Sequence, residues 1–187
     1  MPLSTNDGSL SARDVDECIY AVGREEDDAL RKLYDLVGSS VYAYALSVTK
    51  NVYDAQDVLH DTFIKVYESA HNYVSQGKPM AWLLTIAKNL CYTKFRQQSK
   101  FADVSDEDLE KQFGCDSGEA VESKLVVMQM LSALNESERT IVVLHAMSGL
   151  KHKDIAKLLE IPLATVLSKY NRALKKLQRI FKEKDGE

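Results

Sequence analysis

The stretch Gly149-Leu150-Lys151-His152-Lys153-Asp154-Ile155-Ala156-Lys157-Leu158-Leu159-Glu160-Ile161-Pro162-Leu163-Ala164-Thr165-Val166 reads as two helices broken by a sharp turn. The first helix spans about residues 151–159 and turns Ile155 with Leu158 or Leu159 inward. Glu160-Ile161-Pro162 is the turn, because proline cannot continue a helix but suits the first position of the next one. The second helix runs over about residues 163–182. Val166, Tyr170, Leu174, Leu177 and Phe181 recur at three or four residues and form an apolar stripe. Lys169, Arg172, Lys176 and Arg179 form a second, basic stripe. This is the pattern of a helix-turn-helix, whose second helix docks in the major groove with cations against phosphates. The same spacing also fits a C-terminal helix with a solvated basic face.

Helical periodicity continues upstream. Asn135-Glu136-Ser137-Glu138 has the form of a capping box with Asn at the cap. It opens a helix carrying Ile141, Val142, Leu144 and Met147 that stops at Gly149, and another helix, about 119–134, precedes it. Four helices are expected in the N-terminal half. The first, about 11–22, carries Val15, Ile19 and Val22 on one face. The second, about 27–50, repeats Leu30, Leu33, Val37, Val41, Tyr44, Ala45 and Val48. A third, about 54–72, starts at Asp54 as N-cap and buries Ala55, Val58, Leu59, Phe63, Val66, Tyr67 and Ala70, with Asp54, Asp57, Asp61 and Glu68 opposite. Residues 73–79 break the helix with Gly77 and Pro79, and a fourth helix, about 80–98, turns Trp82, Leu83, Ile86, Leu90 and Phe95 inward.

The expected fold is therefore all-α, with two small helical domains joined by an acidic linker and a helix-turn-helix at the C-terminal end. The divisions are a tail over 1–10, a bundle over 11–98, a linker over 99–120 and a second domain over 121–184.

The net charge of −4 conceals a sorted distribution. Residues 78–100 carry five bases and no acid, and residues 151–184 carry ten bases and three acids. Between them, residues 103–122 carry eight acids and Lys111. Two basic blocks separated by an acidic one suit two surfaces for a polyanion; ordinary solvated helix faces would give the same counts.

Other classes find little support. Eight glycines and three prolines are too few for a many-turned β architecture. Cys18, Cys91 and Cys115 are odd in number and form no CxxC, which argues against a disulfide framework or zinc knuckle and fits a reducing cytoplasm. His60, His71, His145 and His152 lack metal-ligand spacing, and no HExxH, nucleophile elbow or P-loop occurs. No catalytic residue, metal or cofactor is expected. No basic n-region followed by an apolar segment opens the chain, and no run approaches the ~18 apolar residues of a membrane span. A cytoplasmic protein without membrane insertion is expected.

The stretch 149–166 resembles the DNA-reading domain of bacterial sigma factors, with its pattern G-[LYM]-x-x-x-E-I-A-x-x-L-G-[IV]-P-x-G-T-V-x-S-R. Thr165, Val166 and Ser168 match, and Lys169 stands where arginine is usual. Asp54-Ala55-Gln56-Asp57-Val58-Leu59-His60-Asp61-Thr62-Phe63-Ile64-Lys65-Val66 and Ala81-Trp82-Leu83-Leu84-Thr85-Ile86-Ala87-Lys88-Asn89-Leu90 resemble two further motifs of that family, in family order. The class resembled is the small extracytoplasmic-function (ECF) sigma factor of the sigma-70 family. Glu160 and Ala164 replace two usual glycines, His60 a usual glutamine, and Leu167 a commonly polar residue.

The resemblance implies a protein that binds core RNA polymerase through its β′ and β subunits, directs it to promoter DNA and helps melt it. The phosphoryl-transfer chemistry would belong to the polymerase, and an anti-sigma factor is an implied partner. Asp57, His60 and Asp61 would face the polymerase β′ coiled coil. The break at 72–79 would capture a base extruded from the minus-ten element, with Asn72, Ser75, Gln76 and Gly77 meeting the base. Lys78, Lys88 and Arg96 would track the sugar-phosphate chain, with Asn89 and Tyr92 interleaved. Thr165, Ser168, Lys169, Arg172 and Lys176 would read the minus-thirty-five element. The residues alone leave two alternatives: a helix-turn-helix regulator acting without polymerase, or a sigma-like interaction protein without DNA affinity.

Overall fold

A computed structural model of the chain describes residues 11–101 and 131–184. The expected tail, nearly all of the acidic linker and most of the helix over 119–134 lie outside the described residues, while 99–101 belong to the fourth helix. Among the described residues the secondary structure is helical throughout, with no strand.

Helix α1 (Ala12–Gly23) buries Val15, Ile19 and Val22 at helical spacing. Its last residue must be small, because a Cβ on Gly23 would lie 2.6 Å from the Ala70 carbonyl oxygen. Helix α2 (Ala29–Thr49) is the central element, with Leu33, Val37, Val41 and Ala45 fully buried. It packs against α1, against α3 (Val52–Ser69), and against α4 (Pro79–Phe101). A single 3-10 turn, Ala70–Asn72, closes α3.

α3 begins earlier than the expected Asp54. The Asn51 side chain accepts from the backbone amides of Tyr53 and Asp54, at 2.9 and 3.1 Å, and so caps the helix. Asp54 then falls inside the first turn, where its charge suits the helix dipole. Two expected faces also shift. Tyr67 is 53% exposed, because the buried stripe passes through Phe63, Val66 and Ala70 and leaves it to one side. In α4 the fully inward residues are Leu83, Leu84, Ala87 and Cys91, with Trp82, Ile86 and Leu90 half-buried and Phe95 exposed.

In the C-terminal half, α5 (Glu136–Ala146) starts with the expected capping box, Asn135 and Glu138 bonding reciprocally. Gly149 follows at φ +64. α6 (His152–Leu159) and α7 (Leu163–Lys184) form the helix-turn-helix. This half packs directly on the first. Ile141, Leu144, Leu150 and Ile155 join the core cluster that contains Val37, Val41 and Leu84. Ser40 Oγ donates to the Met147 carbonyl at 2.6 Å, and Lys50 pairs with Glu136 at 3.0 Å. The two helical units thus share one core.

Candidate nucleic-acid and polymerase interfaces

The turn between α6 and α7 is closed by backbone bonds. Glu160 N–H donates to the Lys157 carbonyl at 3.3 Å and Ile161 N–H to the Ala156 carbonyl at 3.1 Å, the pairing of a Schellman motif. Glu160 occupies the left-handed position, φ 58 and ψ 38, that usually takes glycine. The Pro162 carbonyl then accepts from Thr165 and Val166 N–H and opens α7. Ala164, the other departure from the family's glycines, lies in ordinary helix, so its Cβ causes no strain.

α7 anchors on Val166 and Ala173, both fully buried. Ser168 and Arg172 are exposed and adjacent, with Arg172 Nη2 3.3 Å from Ser168 Oγ. Thr165 and Lys169 are half-buried at the edge of the same face. Lys176 is turned elsewhere: its Nζ donates to the Glu138 carboxylate at 2.7 Å. Phe181, expected inside the stripe, is 56% exposed.

The loop between α3 and α4 is braced from α1. Asp16 accepts from the Tyr73 hydroxyl and from Ser75 Oγ at 2.8 Å, while the Tyr20 hydroxyl accepts from Ser75 N–H at 3.0 Å. Burial and the Asp16 hydrogen bond both push the Tyr73 phenol above its ordinary value. Ser75 Oγ also accepts from Gly77 N–H at 3.0 Å, and Gly77 has φ +70, a conformation open to glycine. The Tyr73 ring packs between Tyr20 and Trp82, at centroid distances of 5.4 and 4.7 Å. Asn72, Gln76 and Gly77 stay exposed, whereas Ser75 is committed to holding the loop. Sequence reasoning missed Asp16 and Tyr20, which are separated from their partners by 55–59 residues and belong to no motif.

Along α4, Asn89, Tyr92 and Arg96 are exposed, but Lys88 is only 8% exposed. Lys88 Nζ donates to the Leu158 carbonyl at 2.8 Å and to the Glu160 carboxylate. Lys78 pairs with Asp154 of α6. Two cations expected to track a phosphate chain therefore meet the helix-turn-helix instead.

On α3, Asp57, His60 and Asp61 are exposed along one side, and Ile64 and Tyr67 extend the row, 55% and 53% exposed. Asp57 also pairs with Lys94 at 2.7 Å, and that hydrogen bond holds its carboxyl below the ordinary carboxylate value. Spacing at three and four residues from Asp57 and His60 could have pointed to Ile64 and Tyr67, had Tyr67 not been assigned to the core.

Among the described residues, no group of three or more His, Cys, Asp or Glu side chains is placed to hold a metal ion, and no helix is long and apolar enough to cross a membrane.

The family profile for Sigma-70 region 2 matches residues 33–101, and that for Sigma-70, region 4 matches residues 124–177. The chain belongs to the sigma-70 family, in its ECF class. Curated relatives match along most of their length. The ECF RNA polymerase sigma factor SigM of Bacillus subtilis is 27% identical, over 80% of this chain and 93% of the relative. The ECF RNA polymerase sigma factor SigK of Mycobacterium ulcerans is 24% identical, over 88% and 92%. The fold is shared with CnrH, solved in complex with the cytosolic domain of CnrY, at a TM-score of 0.59 and 22% identity, covering 91% of this chain and 99% of that one. It is also shared with the sigma factor RpoE of Bartonella quintana, solved with the anti-sigma factor NepR, at 0.58 and 23%, covering 83% and 98%. The two matched regions of this sigma factor coincide with the braced loop and α4 on one side and the helix-turn-helix on the other.

Proposed function

We propose that this sigma factor divides promoter recognition between its two halves. The loop over 73–77, with the exposed side of α4, holds unpaired bases of the minus-ten element, and α7 reads the minus-thirty-five element through Ser168, Lys169 and Arg172, with Thr165 at the edge of the contact. The α3 row of Asp57, His60, Asp61, Ile64 and Tyr67 meets core polymerase. Work of this kind belongs in the cytoplasm, in division 11–98 and 121–184 of the chain.

The observation that carries this reading is the bracing of the loop. A regulator that binds only duplex DNA needs no exposed loop tied to α1 by Asp16 and Tyr20 beside a helix bearing exposed Asn89, Tyr92 and Arg96. A strand-opening protein does, because an extruded base needs a preformed backbone to meet it. Since RpoE of Bartonella quintana was solved with an anti-sigma factor, a protein of that kind is a proposed partner here too.

The test replaces residues 73–77 with a Gly/Ser linker of equal length. Open-complex formation with core polymerase, read by permanganate reactivity of unpaired thymines, is expected to be lost while core binding persists. Normal opening by the swapped protein would refute the assignment.

A further inference from the structure

Over its N-terminal half, helix α7 turns one arc to solvent: Leu163, Ala164, Leu167, Ser168, Asn171 and Arg172 are all exposed. Neighbouring pairs that recur every four residues lie on a single helix face. The rotation of the helix is fixed from the other side. Val166 and Ala173 are fully buried, and the Tyr170 ring packs against His145 and His152 at centroid distances of 5.0 and 4.6 Å. The arc therefore cannot roll inward.

Two of the six are leucines, Leu163 at 43% and Leu167 at 41% exposure. A scattered surface leucine is ordinary. This pair is set apart by its place and its company. It sits at the start of the second helix of a helix-turn-helix, where side chains meet base edges. Around it, residues 163–182 carry six bases and no acid, a surroundings suited to phosphates.

Leucine has neither donor nor acceptor, so it takes no part in the hydrogen-bond code of the major groove. It discriminates in another way. Thymine presents an apolar group there, its C5 methyl. Against that methyl, apolar surface is withdrawn from water on both sides. Against the donors and acceptors of another base, the leucine strips water from a polar atom and returns no hydrogen bond. One side chain thus favours thymine and penalises its competitors.

We propose that Leu163 and Leu167 are specificity-determining residues of α7, reading thymine C5 methyl groups in the upstream promoter element, with Ser168 and Arg172 beside them for polar contacts. This rests on the reading of α7 as the helix that enters the groove. Ala164 and Leu167 both depart from the family pattern, so the preference is a property of this chain.

The experiment uses the full chain bound to core polymerase. Random-sequence duplexes retained by the complex are sequenced. Each thymine enriched in the upstream element is then replaced in turn by deoxyuridine, which differs only in lacking the methyl. Competition binding should weaken about fourfold per thymine read, the value of one buried methyl. Leu163→Ala with Leu167→Ala should lose the thymine enrichment and become indifferent to deoxyuridine, with core binding and the circular dichroism melt unchanged. The deoxyuridine arm leaves the protein untouched, so it decides even where a variant folds poorly. A second variant, Lys169→Glu with Arg172→Glu, tests the underlying reading. If that charge reversal abolishes selection of the upstream element while deoxyuridine has no effect, α7 enters the groove and the leucine assignment is overturned. An equal deoxyuridine effect in wild type and the leucine variant also overturns it, because the methyl is then sensed elsewhere. Loss of core binding by the leucine variant, with deoxyuridine silent, overturns it in favour of a protein-docking patch. If charge reversal leaves the selection intact, the reading of α7 falls and the leucine assignment falls with it.

Discussion

Lys176 of α7 donates to the Glu138 carboxylate at 2.7 Å, joining the long C-terminal helix to the capping box that starts α5. Glu138 is 1% exposed, and the lysine hydrogen bond holds its carboxyl below the ordinary value. Replacing Lys176 with Met should cost about 1–3 kcal/mol, since a buried carboxylate would lose its cation while keeping the Asn135 amide. The depressed carboxyl contributes stability above an ordinary carboxylate pKa of ~4.3 and loses it as pH falls further. Thermal melts should therefore show wild type and Lys176→Met converging in acid.

The loop braces give a second outcome. Asp16→Ala removes the acceptor for Tyr73 and Ser75 together. It should cost about 1–3 kcal/mol in a denaturant melt. Asp16→Asn, which keeps an acceptor, should recover much of the loss. In a transcription assay Asp16→Ala should slow promoter opening while leaving core binding intact; equal loss of both would make the contact merely structural.

Arg172 and Ser168 form the exposed polar pair of α7. Arg172→Ala should cost about 1–3 kcal/mol in promoter binding if the guanidinium reads a base. If it meets phosphate alone, affinity should fall evenly across sequences and the salt slope should drop by about one. Binding titrations on matched and mutated duplexes at several salt concentrations separate the two.

For the polymerase face, the ion pair between Asp57 and Lys94 makes Asp57 a poor single probe, because reversing its charge also disturbs α4. Asp61→Arg combined with Ile64→Asp avoids this, as both side chains are exposed. Co-sedimentation with core polymerase should be reduced at least about tenfold, as for loss of central interface residues, with an unchanged melt. Undiminished binding would remove α3 from the interface.

A pH effect is expected at the helix-turn-helix. His152 stacks on His145 at 4.5 Å and against Tyr170 at 4.6 Å, with its Nε2 buried. Burial first, and His145 second, lower its pKa from 6.5. The unfolded chain therefore takes up the proton more readily, so stability is full above pH ~6.5 and declines as pH falls below it. His152→Phe should flatten that decline in melts between about pH 7 and 5.

The elements were largely legible in the sequence because they follow local rules. The capping box at Asn135, the break at Gly77-Lys78-Pro79 and the turn before Pro162 each depend on residues within a few positions. Errors arose where a nonlocal partner decides. Tyr67 is apolar enough for a core, but α3 has its neighbours elsewhere, and Lys88 carries a charge that periodicity would leave in solvent. Asp16, Tyr20 and Asp154 gain their meaning from residues 55–76 positions away, which no motif announces.

The Ser40–Met147 hydrogen bond spans 107 residues of chain. At ~5–20 residues per second, a ribosome extends the chain by that distance in roughly 5–20 s. Once α4 has been made, late in that interval, the bundle still lacks α5 and α6, so Ser40, Ser47 and Lys88 have yet to meet Met147, Thr140 and Leu158. Each newly made molecule therefore passes through a stage in which its α4 cations face solvent, before synthesis delivers the residues that cover them.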